Sequence, residues 1–296
     1  MIAKDNKPPE PGVYTDVSFE DYCEWDAVNN SWLSLMVKSP AHFRARPPIA
    51  STKALSIGRL VHAGRLEPLS IHQRYAVLPL FHLDAENVTA NGKPSQSTAT
   101  TYYRDKLAEF ETENAGKEIV TADEFDAMKS MVDALNWHQT AIDCLGPPAH
   151  YELSIVWDDP LTGLRCKARI DAKKPNRLAD LKTTQDATKF SKAIGNYGYH
   201  RQAAFYADGW EVLTGERLPF WIVAIEKTEP YGVRAAPMSW DAMDAGRTEY
   251  KRLLERVAEC RAKDEWPCYD DPESWELPEY MQQPIELMID GVSLEV

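Results

Sequence analysis

Two aspartates and a lysine stand close together near the middle of the chain: Asp171, then Asp180-Leu181-Lys182. Asp171 ends one run of alternating apolar and polar residues and Asp180 lies in the next, so a turn between them brings both carboxylates to one face. Lys182, two residues past Asp180, points the same way, and Glu152 on the polar face of a preceding run can join them. Carboxylates at close quarters repel and hold raised pKa values unless a cation sits between them. A hard divalent cation resolves that repulsion, and Mg2+ typically takes one or two carboxylates together with waters and substrate phosphate. A lysine beside such a cation can hold an attacking water or neutralise charge developing on a phosphodiester. An isolated Asp-x-Lys is most simply a surface ion pair, so the elements around it decide the reading.

Those elements show as changes of period. From Tyr151 to Lys182 the alternation is two-fold: Tyr151, Leu153, Ile155 and Trp157 share one face, with Glu152 and Ser154 opposite. After a turn at 158–163, Leu164, Cys166, Ala168 and Ile170 alternate with Arg165, Lys167, Arg169 and Asp171, and a second turn leads into a short strand through Asp180. Three consecutive strands predict an antiparallel meander. Upstream, helical spacing covers Asn29 to Arg46, with Pro40 restarting a second helix at its first turn. It also covers Ala54 to Glu67, where Ile57, Leu60, Val61 and Gly64 form a stripe with His62 beside it. Residues 84–101 read as a polar surface loop, and Thr121 with Glu124 forms a capping box opening a helix to about Leu145. Downstream come a helix from Tyr199 to Leu213, a strand at 220–226, an extended segment at 231–237 and a helix from Ser239 to about Arg261. The fold class is α/β, a central mixed sheet with an antiparallel three-strand meander flanked by helices.

The chain has 296 residues, 33 Lys and Arg against 46 Asp and Glu, and a formal net charge of −13. Its five cysteines, Cys23, Cys144, Cys166, Cys260 and Cys268, are widely spaced with no C-x-x-C pair. They read as reduced thiols rather than a disulfide framework or a zinc ribbon. The longest strongly apolar stretch, Phe220 to Ile225, is far short of the ~18–20 residues that cross a bilayer. The amino terminus shows no apolar signal core, so the expectation is a cytoplasmic protein of a bacterial host, with no membrane partner. The negative charge is uneven, because Asp264 to Val296 holds ten acidic residues and no Lys or Arg. Beside the candidate site the local balance is positive. Seven basic residues lie between Arg165 and Lys182, and Arg44, Arg46, Lys53, Arg59, Arg65 and Arg74 surround the His62 helix. Clusters of this kind point to phosphate contacts.

Asp171, eight residues, then Asp180-Leu181-Lys182 resembles the PD-(D/E)XK nuclease motif, with Asp at its second acidic position. Gly58 and His62 resemble the G-x-x-x-H helix of the RecB-like branch, and Glu152 the extra acidic residue on its first core strand. Gln202 and Tyr206 resemble its Q-x-x-x-Y helix, where a spacing of four puts both side chains on one face. Together with stretches 39–43, 164–184, 197–210, 223–233 and 266–269, the chain is similar to the RecE-type (exonuclease VIII-like) exonucleases of phages and prophages.

The resemblance implies a PD-(D/E)XK core, processive 5′→3′ digestion of one strand of linear double-stranded DNA, and Mg2+ dependence with Mn2+ as a substitute. It also implies a ring-shaped homo-oligomer, and a phage single-strand annealing protein that takes the exposed 3′ strand for recombination. Asp171 and Asp180 would be metal ligands, the Leu181 backbone carbonyl a further ligand, and His62 a ligand or a neighbour of the metal. Glu152 would be an assisting carboxylate, and Lys182 would orient the nucleophilic water. Gln202 and Tyr206 would hold either the DNA or the geometry of the site, and Arg59, Arg165, Lys167 and Arg169 would meet DNA. Relatives with an iron–sulfur cluster need a late cysteine triplet; only Cys260 and Cys268 fall late here, so no cluster is expected. The chain then divides into an extended amino-terminal segment (1–28), an exonuclease domain (29–269) and an acidic tail (270–296). Neighbouring readings are a single-strand exonuclease or endonuclease of the same superfamily, or a catalytically inactive adaptor that binds DNA ends.

Overall fold

Local sequence signals set most of the helix boundaries in the computed structural model, which describes residues 7–46, 53–269, 276, 286–289 and 292–295. A short strand β1 (Gly12–Tyr14) and helix α1 (Phe19–Glu24) come first. Asn29 caps α2 (Asn30–Lys38) through its side chain, and Ser39 both ends α2 and caps α3 (Pro40–Ala45), whose first residue is the proline that cannot continue a helix. Next are α4 (Lys53–Leu66), α5 (Ile71–Arg74), β2 (Tyr75–Val77), α6 (Thr101–Glu113) and β3 (Glu118–Val120). The Thr121 capping box opens α7 (Ala122–Trp137). The helix expected to run on to Leu145 breaks at His138, whose side chain caps a separate α8 (Gln139–Leu145).

The meander is present as β4 (His150–Asp158), β5 (Arg165–Lys174) and β6 (Arg177–Thr184). It is followed by α9 (Phe190–Asn196), α10 (Tyr199–Thr214), β7 (Phe220–Glu226), β8 (Val233–Pro237) and α11 (Trp240–Lys263). The six-stranded sheet has the order β1-β4-β5-β6-β7-β8, antiparallel except for the β6–β7 pair. Of the acidic tail, a hairpin of β9 (Glu286–Ile289) and β10 (Val292–Glu295) is described; the expectation for the rest of 270–296 lies outside the described residues, apart from Glu276. No helix among the described residues is long and apolar enough to cross a membrane.

Two cores sandwich the sheet. One gathers Leu33, Met36 and Phe43 with Leu153, Ile155, Ile170, Phe205 and Leu254, under α2, α3, α10 and α11. The other joins Leu60, Val61, Met131 and Leu135 to Ala172, Ala179, Leu181 and Val223, under α4, α7 and α8. The strands do not alternate strictly between them. Leu153 belongs to the first core, yet Tyr151 packs against the second; Ile170 and Ala172 divide the same way. The exchange of faces centres on Glu152, which adopts φ 49°, a left-handed value rare for a residue with a side chain. Register places Glu152 opposite Asp171, between the pairs Tyr151–Ala172 and Leu153–Ile170. The expected single face for Tyr151, Leu153, Ile155 and Trp157 is therefore corrected: the kink turns Tyr151 over.

The amino-terminal segment is also corrected. Within residues 7–28, β1 pairs with β4 at the sheet edge, α1 forms, and Val28 bridges to Cys166. Side chains of β5 hold this segment by its carbonyl oxygens. Arg165 donates to Pro9 at 2.6 Å, Lys167 to Tyr22 and Trp25 at 2.6 and 2.7 Å, and Arg169 to Val17 at 2.8 Å. Residues 7–28 dock on β5 in this way because cations shielded from water need acceptors and this backbone supplies them.

Close approach of α10 and α11 fixes the helix that carries Gln202. A Cβ built at Gly246 would lie 2.2 Å from the His200 carbonyl oxygen, so Gly246→Ala must push the helices apart. The expected loss is about 1–3 kcal/mol, read as a lower urea midpoint with an unchanged slope.

Candidate active site

Beyond the turn that joins them, β5 and β6 separate. Their ladder comprises Ala172–Ala179, Lys173–Leu178 and Lys174–Arg177, and it stops one residue short of Asp171 and Asp180. Past that point β6 stays paired with β7 through Thr184, while β5 stays paired with β4. The sheet therefore opens into a cleft with one aspartate on each lip. Asp171 Oδ2 accepts the Leu181 backbone N–H at 2.7 Å, a side-chain bond in place of a lost ladder bond.

Helices from opposite sides complete the site. At Gly58, α4 runs beside β6, and a Cβ there would stand in ordinary contact with Thr183 Oγ1 at 3.4 Å. One turn later His62 Nδ1 lies 3.5 Å from Asp171 Oδ2. Among the described residues, His62, Glu152 and Asp171 form a group whose ligand atoms all lie within 4.8 Å of one another. From the other core, Gln202 Nε2 on α10 donates to Asp180 Oδ1 at 2.7 Å and shares a further hydrogen bond with Tyr206. Lys182 Nζ sits 2.6 Å from Asp180 Oδ2 and 5.0 Å from the Tyr199 ring centroid.

The electrostatics follow from crowding. Burial, then the charges of Asp180 and Glu152, hold the Asp171 carboxyl well above the usual range, against the pull of Lys182 and the Leu181 N–H. Burial and then Lys182 push the His62 imidazole down, towards the neutral form that can ligate a metal, although Glu152, Asp180 and a hydrogen bond to the Leu181 backbone oppose this. Burial alone would lower the Lys182 pKa, but Asp180 and Asp171 together raise it, so the ammonium stays charged.

A divalent cation fits this donor set. The Asp180 Oδ2 atom is buried and, although it is ion-paired with Lys182, lacks an aligned hydrogen-bond donor. Asp171 and Glu152 repel with His62 beside them, and one imidazole nitrogen with carboxylate oxygens is a donor set that a divalent cation can use.

A family model described as a PDDEXK-like domain of unknown function (DUF3799) matches residues 30–276. The chain belongs to this PDDEXK-like family. No curated protein matches the sequence. The fold is similar to a candidate exonuclease from Eubacterium rectale, with a TM-score of 0.53 and 15% identity over 88% of this chain and 97% of that one. An alkaline exonuclease (LHK-Exo) from Laribacter hongkongensis also matches, with a TM-score of 0.28 and 14% identity over 70% of this chain and 97% of that one.

The PDDEXK-like domain brings together seven of the expected residues: His62, Glu152, Asp171, Asp180, Leu181, Lys182 and Gln202. Glu152, expected to assist, stands in the tightest group, whereas Asp180 faces Lys182 and Gln202. Tyr206 sits one turn after Gln202, packed on the first core and in ring contact with Phe205 and Phe220.

Three of the basic residues expected to meet DNA, Arg165, Lys167 and Arg169, are engaged by the protein itself. Lys167 is 1% exposed, with its ammonium on backbone carbonyls and 4.5 Å from the Tyr22 ring centroid. Arg169 is bound to Glu152 and Val17, and Arg165 to Asp158 and Pro9. Arg59 is half-exposed and pairs with Glu118 at 3.0 Å. Alternation showed these β5 side chains opposite an apolar face, but the segment that covers them lies some 140–150 residues upstream in sequence. Tyr199 was missed. Its signal was its place three residues before Gln202, on the same helical stripe as Tyr206.

In the metal-free chain the raised Asp171 pKa is a stability penalty. It is absent below the ordinary carboxylate pKa of about 4 and grows as pH rises through the shifted value. Asp171→Asn keeps an oxygen acceptor for Leu181. It is expected to stabilise the protein in EDTA at neutral pH by on the order of 1 kcal/mol. It should also lose most of the stabilisation that a bound divalent cation would give the parent, about 2.7 kcal/mol at 100 times Kd. Thermal melts in EDTA and in Mg2+ measure both effects.

Proposed function

We propose that this protein is a Mg2+-dependent deoxyribonuclease that digests one strand of linear double-stranded DNA from its 5′ end and leaves 3′ single-stranded overhangs. The observation that carries the reading is the His62–Glu152–Asp171 group, with a charged Lys182 held beside it by Asp180. A divalent cation bound there supplies positive charge for the scissile phosphate and acidifies water. Lys182, kept protonated by Asp180 and Asp171, is a donor rather than a base: it orients a water or steadies charge on a phosphate oxygen. Gln202 holds the Asp180 carboxylate that holds Lys182, and Tyr206 holds Gln202.

Support for a nucleic-acid substrate comes from this chemistry, because the basic residues of β5 face inward. Tyr197 adds to it: its ring is exposed, with the residue 66% accessible, and lies 5.7 Å from the Tyr199 ring that covers Lys182. An exposed aromatic there offers a stacking surface for a base. The 5′→3′ polarity, the preference for duplex ends, a ring-shaped homo-oligomer and a phage annealing partner in recombination are supported by the resemblance to RecE-type exonucleases.

Purified protein with Mg2+ is expected to digest linear duplex but not closed circular duplex, and EDTA should stop it. Asp180→Ala and Lys182→Ala should each slow digestion at least about 100-fold while circular dichroism shows a folded protein. Strands labelled separately at each end give the polarity, and single-stranded and circular substrates separate the neighbouring nuclease activities. Binding of DNA ends without digestion would make the protein an adaptor, and full activity in both variants would remove the proposed site.

A further inference from the structure

We propose that Arg169 is a positioning residue for Glu152, and that the amino-terminal segment, docked on β5, is thereby part of the scaffold of the metal site. This rests on the metal-site reading above and assigns a role outside the ligand group. Glu152 sits at φ 49° in the middle of a strand, a conformation that persists only where the surroundings over-determine it. Arg169 Nε donates to Glu152 Oε2 at 2.6 Å, and the two side chains are only 11% and 16% exposed. The bond fixes one carboxylate oxygen of a group that also lies within 4.8 Å of the His62 and Asp171 ligand atoms. The guanidinium is itself fixed, because Nη1 donates to the Val17 carbonyl at 2.8 Å and to Ser154 Oγ at 3.3 Å. Ser154 lies two residues past Glu152 on β4, so one guanidinium grips the strand at the kink and just beyond it.

Val17 is in turn held between fixed points. Arg165 anchors the chain at Pro9, and Lys167 anchors it at Tyr22 and Trp25. A planar fork reaching a carboxylate, a hydroxyl and a backbone carbonyl together is arginine geometry that a lysine cannot reproduce. Two physical effects oppose each other here. Removing a positive charge favours a nearby cation, whereas releasing a carboxylate ligand from its outer hydrogen bond typically weakens metal binding about 10–100-fold. The enforced backbone at Glu152 makes positioning the larger effect.

The test titrates Mn2+ into the full-length protein by calorimetry, with melting curves for every variant. Arg169→Gln is expected to weaken Mn2+ binding about 10–100-fold. Arg169→Lys, which keeps the charge, should also weaken it, and it carries the test if the Gln variant does not fold. Arg165→Gln cuts the Pro9 anchor of the same segment without touching Glu152 and should weaken Mn2+ binding less than either Arg169 variant. In a Glu152→Gln background, Arg169→Lys should cause no further loss, a result that a purely structural role would not give. Unchanged or tighter Mn2+ binding in the Arg169 variants, or a loss that persists in the Glu152→Gln background, would overturn the inference while leaving the metal site standing. A parent protein that binds no Mn2+ would overturn both.

Discussion

Glu152, Asp171 and Asp180 are held close together where little water reaches them, and their mutual repulsion is the constraint on which the site depends. Each carboxylate is restrained by a different part of the chain. Asp171 takes the Leu181 N–H, Asp180 takes Gln202 and Lys182, and Glu152 takes Arg169. These partners hold the oxygens in place without cancelling the crowding, which together with burial still holds the Asp171 carboxyl well above the usual range. The arrangement costs stability in the absence of a cation and is the kind of strain that functional sites keep.

The backbone makes room for this crowding through two departures from a regular sheet. The β5–β6 ladder ends at Ala172 and Ala179, which opens a cleft between the aspartates. The exchange of faces around Glu152 turns a strand residue toward that cleft. Helices then approach from both cores, α4 with His62 from one side and α10 with Gln202 and Tyr199 from the other. Gly246 marks where α11 closes tightly on the helix that carries Gln202.

The same residues show what a single sequence reveals. Period-two alternation located β4, β5 and β6, and the Asp-x-Lys spacing located the site, because both signals are local in the chain. The alternation was also the source of two errors. It placed Tyr151 with Leu153, since a positive φ at a glutamate leaves no compositional mark. It read Arg165, Lys167 and Arg169 as cations for phosphate contacts, since nothing nearby shows that Pro9, Val17, Tyr22 and Trp25 lend them carbonyls. Charge counted along a strand says which groups are cationic, whereas burial decides whether they meet a ligand or the protein's own backbone.

By itself the sequence determined the types of group at the site and the elements that carry them: the meander, the His62 helix, the Gln202–Tyr206 stripe and the capping signals of the helices. These follow from propensity, periodicity and spacing, which act over a few residues. Only the tertiary structure decided that Glu152 joins His62 and Asp171, that Asp180 serves Lys182 and Gln202, and that the amino-terminal segment answers the cations of β5. Those outcomes depend on strand register, on one left-handed residue and on contacts between segments more than a hundred residues apart, where packing and desolvation override local pattern.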